Sequence, residues 1–225
     1  QSVEGCIAIC KTIVSPDLLE ATNGRGLKKE YAIGSFFTLE QLKQALITDI
    51  IQDNRFIFIK SPLHTTALFK EEGNYYYLNA SGNETQTTSI DKIALLVFQD
   101  HPDSSVGLEI FSLDEKHKEY PYAKDILKKI NPALFTKGNH PKISGIEVAA
   151  KIGSLDSIEY FLEENCYAGI QLFMALTLAS KYGHYKIVKA LLENGSIDVN
   201  KQNRDRDTPL VLASTHGHSE IVKLL

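Results

Sequence analysis

The chain has 225 residues, 43% of them hydrophobic and 23% charged, with 24 basic against 28 acidic side chains and a formal charge of −4. That length allows one large domain or two modest ones with a real core. The acidic balance, with a pI near 6.0, excludes the excess of Lys and Arg that marks a nucleic-acid-binding domain, and no apolar run is long enough to span a membrane. Cys6, Cys10 and Cys166 are too few for a disulfide framework, and no C-x-x-C pair offers a structural zinc site. A reducing compartment is expected. The chain starts at Gln1 and not at Met, so it reads as trimmed at that end.

In chain order, Cys6 heads an apolar stretch, Ile7 to Val14, expected to be helical. Thr38-Leu39-Glu40-Gln41 has the spacing of a capping box and opens a predicted helix over 38–52. Arg55-Phe56-Ile57-Phe58-Ile59-Lys60 is β-branched and aromatic and is bounded by Asn54 and Pro62, which predicts a strand. Residues 64–70 and 74–79 flank a Glu71-Glu72-Gly73-Asn74 turn and predict a hairpin. Its Tyr75-Tyr76-Tyr77 run alternates across a strand, which means sheet packing and not a platform for bases. A helix over 89–98 with Ser89 as cap and an extended segment over 105–112 complete an α+β unit on an antiparallel sheet. Residues 1–130 therefore form one domain, and a linker at 131–143, rich in Pro, Gly and Asn, follows.

The remainder, 144–225, repeats itself. Ala149-Ala150-Lys151-Ile152-Gly153-Ser154 aligns with Ala179-Ser180-Lys181-Tyr182-Gly183-His184 and with Ala213-Ser214-Thr215-His216-Gly217-His218. An amphipathic helix follows each: Ser157 to Leu162, Lys186 to Leu192, and Glu220 to Leu225. Each unit is thus a helix, a Gly turn and a second helix running back, with small Ala and Ser positions for close stacking. The third unit opens with Asp207-Thr208-Pro209-Leu210 after Asp198-Val199-Asn200, which closely resembles the ankyrin repeat. About three repeats are expected, forming an all-α solenoid. The first begins Gly145-Ile146-Glu147 in place of T-P-L, as a capping unit does. The last stops mid-helix at Leu225, so further repeats are expected beyond it.

The chemistry-bearing residues lie in the first domain. His64 opens the first hairpin strand and Asn79 closes the second, so the two ends lie side by side. Cys6 at the start of a helix would have its thiolate favoured by the helix dipole, and by a nearby imidazolium. Cys10, one turn on, is the rival nucleophile; a buried apolar thiol is the plainer role for either. A helix-borne Cys, a His at a strand start and an Asn after the next strand resemble the papain-like cysteine peptidase superfamily, in particular its bacterial effector branch, the YopT and AvrPphB-like group. That resemblance implies a papain-like fold, with Cys6 as nucleophile, His64 as general base and Asn79 orienting the imidazole. Gln1 and the Cys6 backbone N–H would be the oxyanion donors. Asn79 stands where that branch has Asp, and Ala80 where it has Pro.

The combination with ankyrin repeats resembles the secreted effectors of intracellular bacteria of the Legionella type. It implies a thiol hydrolase or acyl transferase acting on a host protein, in host cytosol or nucleus, with the repeats recognising the partner. The same three residues serve proteases, deamidases and acyltransferases alike. The alternative is an inactive adaptor that binds a host protein through its repeats. No cofactor is implied. No metal is either: His184 and His218 share one turn position, and His216 and His218 have no third ligand nearby in sequence.

Overall fold

A computed structural model of the chain describes residues 28–51, 55–61, 65–79, 81, 83–101, 105–112, 123–130, 144–165, 167–195 and 197–225. These divide between two compact units, one within Gln1–Ala32 and Phe37–Tyr122, the other within Ile33–Phe36 and Ala123–Leu225. The predicted helix after Cys6 and the 131–143 linker lie outside the described residues.

The first unit is built on a six-stranded sheet in the order β1-β6-β2-β3-β4-β5. Its strands are β1 (Lys28–Phe36), whose Ile33–Phe36 end belongs to the second unit, β2 (Arg55–Lys60), β3 (Thr65–Glu71), β4 (Asn74–Leu78), β5 (Glu84–Thr87) and β6 (Ser105–Ser112). The apolar run of β2 explains its central place. Phe56, Ile57, Phe58 and Ile59 point alternately to both faces and are all at most 1% exposed. β2 pairs antiparallel with β3 (Phe58↔Ala67) and with β6 (Phe58↔Glu109). Phe56 and Phe69 pack with ring centroids 5.8 Å apart, and Phe69 stacks on Tyr76 at 4.8 Å, so one aromatic row ties β2, β3 and β4. The hairpin turn falls where the sequence placed it, since Glu72 (φ 48°) and Gly73 (φ 80°) are both left-handed, as a two-residue type I′ turn requires.

α1 (Leu39–Ala45) starts at Thr38, whose hydroxyl accepts from the Gln41 N–H while Gln41 Oε1 accepts from the Thr38 N–H. It does not run on to residue 52 as an α-helix. A π-helical turn, Leu46–Ile50, continues it, with Leu46 and Ile50 buried and Ile47 exposed. α2 (Ile90–Asp100) is capped by the Ser89 hydroxyl, which accepts from the Lys92 N–H. Two strands escaped the sequence reading. β5, Glu-Thr-Gln-Thr, carries no apolar residue and is an edge strand held by β4 alone. In β1, the small residues Ala32, Gly34 and Ser35 blur the alternation.

The second unit stacks helix pairs. α3 (Ala123–Ile130) precedes α4 (Gly145–Ile152) and α5 (Leu155–Glu163), then α6 (Gly169–Tyr182) and α7 (Tyr185–Glu193), then α8 (Pro209–Thr215) and α9 (Ser219–Leu224). The first helices form one row, α4 on α6 on α8, and the second helices another, α3 on α5 on α7 on α9. Ala149, Ala179 and Ala213 are fully buried within the first row, and Ile158, Val188 and Ile221 within the second. α3 therefore extends the second row before the repeats begin, burying Ile126 and Leu127. On the first row, Gly34 lies against Ala149, and its N–H donates to Ser157 Oγ at 3.2 Å. The first repeat thus has its open face covered by non-repeat segments.

Gly153, Gly183 and Gly217 end the first helices at φ of 80°, 78° and 77°, and the next residue's N–H bonds back to Ala149, Ala179 or Ala213. A Cβ on Gly183 would lie 2.6 Å from the His218 ring. Gly183→Ala is therefore expected to cost about 2 kcal/mol from left-handed strain and ring contact. In urea unfolding, His218→Ala should recover part of that loss in a double-mutant cycle; additive costs would show that the ring contact is immaterial.

Candidate functional site

Of the residues singled out in the N-terminal region, Gln1, Cys6, Cys10 and His64 lie outside the described residues, as does Cys166 of the repeats. Asn79 is described. It follows β4, and its Oδ1 accepts from the backbone N–H of Ser81 (3.0 Å) and of Asn83 (2.9 Å). Its own N–H donates to the Asn83 carbonyl at 3.0 Å. Both lone-pair directions of that oxygen are thus used by a local turn, the commonest role of such a residue. β5 then continues the meander before α2, where the sequence reading had only a connection.

Sequence reasoning missed a buried polar group beside this hairpin. His101, at the C-terminus of α2, has Nε2 3.0 Å from Thr66 Oγ1, and both residues are at most 1% exposed. Next to it, the Tyr77 hydroxyl donates to Asp100 Oδ2 at 2.8 Å. Burial, with the Asp100 carboxylate adding to it, pushes the Tyr77 phenol well above its ordinary range, and the Thr66 hydroxyl partly offsets this. Tyr77 stays a donor throughout the physiological range. The group fastens the end of α2 to β3 and β4. Its one sequence signal was a polar pair, Asp100-His101, closing an apolar helix.

The second site is the repeat stack itself. His184 donates its Nε2–H to the Lys151 carbonyl at 3.0 Å, and His218 does the same to the Lys181 carbonyl at 2.9 Å. Each imidazole thus caps a helix of the preceding repeat and fixes the register of neighbours. The two histidines belong to the turn, as their spacing implied. Among the described residues, no cluster of three or more metal-ligating side chains occurs. His216 instead donates from Nδ1 to the Leu212 carbonyl at 2.9 Å.

The opening of each repeat differs. α8 has Thr208 as N-cap, its hydroxyl accepting from the Val211 N–H, and Pro209 in the first turn. In the first repeat, the Ser144 hydroxyl donates to Glu147 Oε1 at 2.9 Å. Glu147 is 8% exposed, and burial raises its carboxyl above the ordinary range, partly offset by Ser144. A raised folded-state value means that the folded protein holds this proton more tightly than the unfolded chain. Its contribution is therefore fully present below the ordinary carboxylate range and is lost as pH rises through the raised value. Glu147→Gln should accordingly gain stability relative to wild type as pH rises from about 4 to about 7, read as the difference in Tm. A difference independent of pH would overturn this.

Comparison with known proteins agrees with the stack. Residues 146–225 match the family model of ankyrin repeats, three copies. Over 50 residues the chain is 44% identical to alpha-latrocrustotoxin-Lt1a of Latrodectus tredecimguttatus. That match covers 22% of this chain and 4% of the relative. Ankyrin repeats imply protein–protein interaction. No helix among the described residues is long and apolar enough to cross a membrane.

Proposed function

We propose that this chain works by holding a protein partner on its ankyrin repeats and that the N-terminal unit carries thiol chemistry directed at that partner. The observation that supports recognition best is the repeated imidazole cap, 3.0 and 2.9 Å at successive turns, which makes the stack rigid and leaves its side chains preorganised for a folded partner. A chemical cross-linker applied to the full chain with its partner should join the partner to residues 144–225. Cross-links confined to the sheet would overturn this reading.

The chemical half rests on the order Cys6, His64, Asn79 and on the hairpin: β3 begins at Thr65, just after His64 in the sequence, and β4 ends at Leu78, just before Asn79. Cys6 attacks a peptide or isopeptide carbonyl as thiolate, the C–N bond breaks, and the amine leaves with the proton His64 took up. Water then hydrolyses the thioester. Asn79 would orient the imidazole once its Oδ1 exchanges an amide of the local turn for the ring N–H, and Gln1 and the Cys6 backbone N–H would polarise the oxyanion. The chain would act as a secreted bacterial effector, in host cytosol or nucleus, with a papain-like first domain over 1–130.

Alkylation by iodoacetamide between pH 4 and 9 tests the thiol directly. Cys6 should react well below the ordinary thiol value of about 8.5, and His64→Ala should slow it. A Cys6 that titrates as a free thiol with or without His64 would remove the chemical half and leave recognition standing.

A further inference from the structure

We draw no further inference here: the strongest candidate, the exposed apolar patch of Leu39, Ile47 and Leu95 on α1, its π-helical turn and α2, carries nothing because nothing among the described residues shows what covers it.

Discussion

Glu30→Ala is expected to cost about 3–5 kcal/mol of stability, because it removes a buried carboxylate that lies 3.0 Å from a buried guanidinium. Arg55 opens β2 with its side chain 2% exposed, and its Nη2 lies 3.0 Å from Glu30 Oε2 on β1, itself 5% exposed. A second contact, Nη1 to the Ile50 carbonyl, is long at 3.5 Å. Removing both charges together is a different experiment. The double replacement Glu30→Leu with Arg55→Met should lie within about 1 kcal/mol of wild type or above it, since the desolvation cost of two ions disappears with them. Urea unfolding followed by circular dichroism measures both variants. A cost below about 1 kcal/mol for Glu30→Ala would mean that the guanidinium reaches water, contrary to its burial.

The second large effect is expected at Gly34. A Cβ built there would lie 2.4 Å from the Cα and 2.5 Å from the N of Ala149. These are backbone atoms of α4, so no rotamer change relieves the contact. Gly34→Ala must push the strand end from the helix, stretching the 3.2 Å bond from the Gly34 N–H to Ser157 Oγ, which also accepts from Ser154 Oγ at 2.7 Å. We expect a loss of about 3 kcal/mol, seen as a fall in Tm of roughly 10 °C. Gly169 supplies the control. It begins α6 with nothing within 4 Å of the added Cβ, so Gly169→Ala should be neutral or stabilising by up to about 1 kcal/mol. Equal effects at the two glycines would show that the close approach of Gly34 to α4 contributes nothing.

Both effects depend on partners the sequence does not announce. Arg55 looks like the polar boundary of an apolar strand, yet it is among the most buried residues of the sheet, because β1 brings Glu30 to it from well upstream. Gly34 looks like a weak point in a strand; its lack of a side chain matters only because Ala149 approaches from more than a hundred residues away. The candidate catalytic set shows the same division. The hairpin of β3 and β4 was legible from alternation and its Glu72-Gly73 turn, whereas its register, which ends at Ala67↔Leu78, was not. That Asn79 Oδ1 is occupied by the amides of Ser81 and Asn83 became visible only once the chain direction after β4 was known. The buried Thr66, Tyr77, Asp100 and His101 group was invisible for a related reason. Its members come from two strands and a helix end, and no periodicity links them.

The repeats lie at the other extreme. A left-handed glycine, a small buried alanine, a capping histidine and an apolar stripe all act within one unit or on its immediate neighbour, so a short stretch of sequence carries the whole instruction. The ankyrin stack and its implied role in protein recognition were therefore determined by the sequence alone. What only the tertiary structure decided is how that stack begins, with α3 on one row and Gly34 on the other, and how the sheet keeps a buried charge pair. Those contacts join segments far apart in the chain, and long-range contacts leave no local signature in either partner.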